Sequence, residues 1–308
     1  MERSIKSAVV TGPTGAIGTA LCQTLAENGV TVFAVHRPDS SRAGQIPTHE
    51  NIRLVGCDVS ELSELSRLIP DGADVFFHLA WAHTIGAGRN DIRAQIKNIE
   101  YTIDAVNAAS SLGCKLFIGA GSQAEYGRYE GALNPHTPCF PENGYGIAKL
   151  CAGNMSRLEC KRLGMEHIWV RILSVYGPND SESTMISGVI KRLLAGERPS
   201  LTAGIQRWDY LYSFDAAWAF LLAARRGISG KTYVLGSGNA IPLKDYIEKL
   251  RDFIDPSLPL GLGDISYSPL QVMHLEADIS ELCRDTGFSP RTSFGDGIRK
   301  TINSFAEK

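Results

Sequence analysis

Residues Ser7–Thr11 read S-A-V-V-T and run directly into G-P-T-G-A-I-G, after which A-L-C-Q-T-L-A-E-N-G carries apolar residues at helical spacing and closes on glycine. An apolar run, a glycine turn and an amphipathic segment in that order make a strand, a tight turn and a helix. No feature of the chain constrains its fold more. Gly12, Gly15 and Gly18 recur every three residues, so the backbone can approach a pyrophosphate held at the helix N-terminus. The spacing departs from G-x-G-x-x-G, and close helix–strand packing is the other use for the same glycines. Thr14, Ala16 and Ile17 lie inside the turn and are taken with it as cofactor contacts.

The alternation continues downstream. Further strands are expected at Val30–Val35, Ile52–Gly56, Val75–Leu79, Lys115–Gly119 and Glu166–Ile172, the Val75 run being continuously apolar as when both sheet faces are covered. Helices are expected from Ser60, a suitable N-cap, to Ile69, from Arg89 to Leu112 carrying Asn98, and from Gly144 to Leu163. The reading is an α/β protein with a doubly wound parallel sheet (Rossmann). Residues 1–175, completed by about 210–236, form the dinucleotide-binding domain, and 176–209 with 237–308 form a smaller mixed C-terminal substrate lobe. In that lobe helices are expected over Thr184–Ala195, Asp215–Arg225 and Asp245–Phe253, with short strands at Tyr210–Tyr212 and Thr232–Leu235. The alternating aromatics Trp208, Tyr210 and Tyr212 read as core, with stacking on a base or sugar as the other use.

Ligands of such sheets bind beyond the carboxyl ends of the strands, so the residues there are the candidates for function. His36 and Arg37 follow the second strand, with Arg42 a little later; no Asp or Glu stands at the strand end, and Asp39 falls after Pro38. Arginine suits the 2′-phosphate of NADP, whereas an acidic residue would suit the free hydroxyl of NAD. The cofactor expected is therefore NADP, with NAD as the alternative. Leu79, Ala80 and Trp81 end the fourth strand and Ile172 the sixth, and they join the cofactor set. Tyr145 and Lys149 are four apart, which stacks them on one helix face; an ammonium beside the phenol would pull the tyrosine pKa down toward a working proton donor. An ordinary solvated helix pair is the other account of that spacing.

Composition closes off other classes. Among 308 residues the net charge is -2, with no basic run, so neither nucleic acid nor a membrane surface is an expected partner. No apolar stretch reaches the ~18 residues of a membrane span, and a cytoplasmic protein is expected. The seven cysteines are scattered without C-x-x-C, and the histidines form no ligand cluster, so no metal is expected.

Taken jointly, G-P-T-G-A-I-G, C-D-V at Asp58, H-L-A at His78–Ala80, Asn98, S-Q-A-E-Y-G from Ser122, Y-G-I-A-K from Tyr145, R-I-L-S-V-Y-G-P and W-D-Y-L-Y-S-F-D resemble the extended short-chain dehydrogenase/reductases that act on nucleotide sugars. The resemblance spans nearly the whole chain. It implies that Ser122 hydrogen-bonds the reacting oxygen, Tyr145 exchanges the proton, Lys149 holds the nicotinamide ribose, Asn98 supports the lysine or a relay water, and Asp58 and Val59 meet the adenine. It also implies a homodimer built through the helices carrying Asn98 and Tyr145. Dehydratases of the family carry an Asp-Glu pair after the serine, where this chain has Gln123 and Ala124, with Glu125 out of step. What remains is reduction of a 4-keto nucleotide-linked (deoxy)sugar with NADPH, or 4-epimerisation with a retained NAD. A non-catalytic cofactor sensor is a third reading, disfavoured by the retained Tyr/Lys pair. Substrate contacts are expected from His83, Gln123, Glu125, Ser174, Arg207 and Tyr210, although Ser174 and Arg207 depart from the family's usual asparagine and R-D-F arginine.

Overall fold

The computed structural model describes residues 2–306. Seven parallel strands form its central sheet: β1 (Ser7–Thr11), β2 (Thr31–His36), β3 (Ile52–Gly56), β4 (Val75–His78), β5 (Leu116–Ser122), β6 (Glu166–Ile172) and β7 (Thr232–Leu235). Their order across the sheet is β7-β6-β5-β4-β1-β2-β3. Successive residues of one strand serve opposite faces. Val9 and Phe76 pack with Val106, Ala109 and Cys160, whereas Val10 and Phe77 pack with Leu21, Leu25 and Phe220. Burial on both faces is why these strands read as unbroken apolar runs.

The chain builds outward from β1 to the β3 edge, then crosses back to lay β4 on the other side of β1, with Thr11 opposite His78. That reversal opens a crevice above the carboxyl ends of β1 and β4. The helix Ala16–Glu27 starts at its rim, and the helix Gly144–Arg162 flanks it from the β5 side.

Several boundaries differ from the sequence reading for local reasons. The expected Ser60 helix is a 3-10 stretch, Val59–Glu64, followed by one α turn, Leu65–Leu68. Its cap is Asp58, whose Oδ1 accepts from Ser60 N at 2.9 Å. The Asn98 helix spans Ile92–Ser111 rather than starting at Arg89, because Asp91 caps it through Ala94 N and Gly86–Asn90 forms a separate 3-10 turn. β5 continues three residues past Gly119 because its pairing with β6 runs through to Ser122 and Ile172.

The C-terminal region adds small sheets, one joining Ala132–Leu133, Arg207–Trp208, Ile241–Pro242 and His274–Ala277. Tyr176, Ile190, Tyr246 and Ile298 centre its own core, while Leu282 and Phe288 return to the core of the main sheet. Asp209, fully buried between Trp208 and Tyr210, ties these parts together: Oδ1 accepts from Ser237 N at 2.7 Å, and Oδ2 from Gly238 N at 3.0 Å and Ala277 N at 3.1 Å. Among the described residues no helix is long and apolar enough to cross a membrane, and no group of His, Cys, Asp and Glu is placed to hold a metal.

Candidate functional site

Two adjoining clefts sit over the reversal point, of about 550 Å³ on the β2 side and about 310 Å³ on the β5 side, and they share Gly12 and Trp81 as walls. Thr14, His36, Arg37, Asp58, Val59 and Ala80 line the larger one, with Ser40, Arg42 and His83. Gly15, Ala16, Ile17, Gly18, Leu79 and Ile172 line the smaller one, together with Ser122, Tyr145 and Lys149.

The glycine turn divides its labour. Gly12 has φ +72°, and a Cβ there would lie 2.8 Å from Ala80 N, while a Cβ on Gly18 would collide with the Gly12 carbonyl. These two glycines let helix, turn and β4 close on one another. Gly15 has open space around its missing Cβ and caps the helix Ala16–Glu27 without any side-chain hydrogen bond or acidic first-turn residue. The helix N–H groups therefore face the cleft unshielded, a fit for a pyrophosphate. The close-packing use falls on Gly12 and Gly18, and Gly15 leaves room for the other.

Ser122 closes β5; its Oγ accepts from Ala124 N at 3.2 Å and its own N–H donates to Glu125 Oε1 at 2.8 Å. Tyr145 stands in the first turn of its helix, capped by Asn143 Oδ1. The expected downward pull on its pKa is not what the structure shows. Burial raises the phenol above its ordinary range, and the Ser122 hydroxyl and the Arg89 guanidinium only partly oppose this. Lys149 is not the neighbouring cation, because its Nζ turns away to donate to Ala120 O at 2.6 Å and lies 6.0 Å from the Tyr145 ring centre. Arg89 takes that place, 4.6 Å from the ring centre. Lys149 is nearly fully buried, and desolvation brings its pKa down to about 7, with Glu125 opposing.

Asn98 does not reach Lys149. It clamps one residue of the loop after β4, donating to Ala82 O at 2.9 Å and accepting from Ala82 N at 3.0 Å. Gln95, one helical turn earlier, accepts from Trp81 Nε1 at 3.0 Å and donates to His83 O at 3.2 Å. Below them His78 is held neutral: burial and Lys149 lower its pKa to about 3, and its ring bonds Thr11 Oγ1 at 3.0 Å.

Most of the expected substrate contacts have other employment. Glu125 is fully buried, its Oε2 accepting from Arg171 Nε at 2.6 Å and its Oε1 from Trp169 Nε1 at 3.0 Å, so it is a structural ion pair behind Ser122. Ser174 accepts from Trp208 Nε1 at 2.8 Å. Arg207 is exposed on its short strand and donates to Ala240 O, outside both clefts. Tyr210 packs edge-on against Tyr176 and Tyr246 in the lobe core. His83 lines the cleft on the β2 side, and Gln123 is partly exposed next to Ser122. Arg89, Gln95 and Asp180, whose carboxylate lines the smaller cleft, are the residues the motifs did not single out. Gln95 sits one helical turn before Asn98, the one signal that could have found it.

Fold and cleft together define an α/β protein built to hold an extended dinucleotide across the reversal point of its sheet, with a serine, a tyrosine and a lysine at one end. Residues 8–236 match the model of the NAD dependent epimerase/dehydratase family. The chain is 24% identical over 307 residues, 97% of each protein, to CDP-abequose synthase of Salmonella muenchen, and 25% identical over 197 residues, 62% of each, to dTDP-4-dehydro-6-deoxyglucose reductase of Escherichia coli. Its fold superposes on UDP-N-acetylglucosamine 4-epimerase of Methanobrevibacter ruminantium M1 with a TM-score of 0.89 at 23% identity, covering 99% of both chains. The chain belongs to the NAD dependent epimerase/dehydratase family. It is an NAD(P)-dependent enzyme of the group that comprises nucleotide-sugar epimerases, dehydratases and reductases.

Proposed function

We propose that the protein is an NADP(H)-dependent reductase of a 4-keto nucleotide-linked sugar. The observation that carries this reading is the basic rim at the end of β2, where His36, Arg37, Ser40 and Arg42 line the cleft on the adenosine side and no carboxylate ends the strand itself, Asp58 reaching the same cleft from beyond β3. Guanidinium groups there suit a 2′-phosphate, and an exchangeable cofactor suits net reduction. When bound, the nicotinamide supplies the hydride; the protein supplies orientation and the proton. Tyr145, kept protonated by its burial, is the proton donor, and Ser122 holds the same carbonyl oxygen. Lys149, which lines the smaller cleft, takes the nicotinamide ribose, while Asp58 and Val59 border the adenine. Gln123 and Ala124 offer no acid–base pair for dehydration. The name of one relative, dTDP-4-dehydro-6-deoxyglucose reductase, supports a keto-sugar substrate, and that of another, CDP-abequose synthase, a nucleotide-linked sugar.

Epimerisation with a retained NAD is the second reading, favoured by one contact: Arg42 is committed to Asn179 O at 2.7 Å and to Gln45 Oε1 at 2.9 Å, which leaves Arg37 for a phosphate. Extraction of cofactor from the purified protein separates the two. Tighter binding of NADPH than NADH to an empty protein supports the reductase; stoichiometric bound NAD overturns it. Tyr145→Phe should retain cofactor binding and lose turnover, whereas a cofactor sensor would keep its function.

We also propose a homodimer. Ile92 and Ile96 on one helix and Ile147, Met155 and Leu158 on the other leave large apolar side chains exposed on the two helices that pack together, as a four-helix interface requires. Light scattering at micromolar concentration checks it, a monomer being the refuting result.

A further inference from the structure

Lys149 has an aromatic partner that the reading above leaves without a role. The indole of Trp81 lies face-on to the ammonium, with Nζ 3.7 Å from the ring centre, and edge-on to Tyr145 at 6.0 Å and 87°. The indole is not a loose surface ring. Its N–H is anchored on Gln95, and the next residue, Ala82, is clamped on both its N–H and its carbonyl by Asn98. Gln95 and Asn98 are themselves buried and joined, Asn98 Nδ2 donating to Gln95 Oε1 at 3.3 Å. Two buried amides from one helix thus fix one tryptophan over one lysine, and Trp81 and Lys149 border the same cleft.

We propose that Trp81 is a positioning residue for Lys149: its indole face, set by Gln95, holds the ammonium between the Ala120 carbonyl and the cleft and favours the charged amine. This rests on the reading of Lys149 as the ribose-binding cation. A buried ammonium needs compensation, and a desolvated indole face provides it without competing for the N–H groups that a ribose would take. The other groups around the amine do this less well. Glu125, beyond β5, is already engaged by Arg171. His78, at the end of β4, is held neutral and offers the amine no opposite charge. Tyr145 on the same helix and Trp169 on β6 present rings at 6.0 Å.

The test is the ionisation of Lys149 itself, followed by NMR in protein labelled with 13C-lysine and assigned by the signal missing from Lys149→Met. Trp81→Leu should lower the titration midpoint of Lys149 by about one unit. Trp81→Phe, which keeps a π face, should restore most of it, and Gln95→Leu, which frees the indole, should fall between. An unchanged midpoint in Trp81→Leu overturns the proposal; if that variant does not fold, an unchanged midpoint in Gln95→Leu does so. Neither substrate nor turnover enters this measurement. A shifted midpoint with full turnover in Tyr145→Phe would sink Tyr145 as the proton donor alone, and an unchanged midpoint with turnover lost in Tyr145→Phe would sink this proposal alone.

Discussion

Replacing Glu125 with glutamine keeps the side-chain volume and removes one charge from a fully buried position. The two Oε1 bonds, from Ser122 N at 2.8 Å and Trp169 Nε1 at 3.0 Å, can survive; the Oε2 bond from Arg171 Nε at 2.6 Å cannot. An ion left unpaired in the interior costs about 3–5 kcal/mol. The Tyr126 ring, 4.6 Å from the Arg171 guanidinium, offsets about 1 kcal/mol of that, for a net loss of about 3 kcal/mol. Glu125→Ala also strands the Ser122 and Trp169 N–H groups and should lose about 2 kcal/mol more. At about 2 °C per kcal/mol for a chain of this size, Glu125→Gln should melt about 6 °C below the parent and Glu125→Ala about 10 °C below. Thermal melts followed by circular dichroism, with Arg171→Met and the double variant completing a cycle, give the coupling. Glu125→Gln with Arg171→Met removes both charges and should recover about 2 kcal/mol relative to the summed single losses. Additive single losses, or a Glu125→Gln midpoint equal to that of the parent, would refute the view that this pair, and not a substrate contact, is what Glu125 is for.

Gly12→Ala should lower both the melting midpoint and cofactor affinity, because it is strained at φ +72° and strikes Ala80, whereas Gly15→Ala should fold normally and lose affinity alone in a cofactor titration. His78 and His167 have their pKa values lowered by burial to about 3 and about 4, so the unfolded chain takes up protons below about 6.5 that the folded one refuses; stability present above that pH is lost on acidification, and His167→Phe should flatten the decline in melts recorded from pH 7 to 4. The Lys149 amine, at about 7 when folded, is a buried charge whose cost is complete below that pH and vanishes above its ordinary value, so Lys149→Met should raise the midpoint more at pH 6.5 than at pH 10. Asn98→Ala should cost about 2 kcal/mol and speed amide exchange at Ala82, with little change at Lys149, since its bonds go to that peptide.

What the sequence alone determined is what periodicity and local stereochemistry report. The spans of β1, β3, β6, Tyr210–Tyr212 and Thr232–Leu235 fall where the apolar runs place them, most directly in β1 and Thr232–Leu235, where burial on both faces of the sheet leaves no charged position inside the strand. The doubly wound class and the family followed from the order of those runs and from motifs that each lie within a few residues. Tertiary structure decided everything that depends on a distant partner. Glu125 read as a substrate contact until Arg171, 46 residues away, met it in the interior. Lys149 has the spacing to touch Tyr145, yet Ala120 on β5 and Trp81 in the loop after β4 draw it aside. Asn98 found a loop peptide in place of an amine, and the Asp58 carboxylate took the cap expected from Ser60. A polar side chain carries no mark of which distant group will satisfy it, and once buried it must be satisfied; only the packed chain makes that choice.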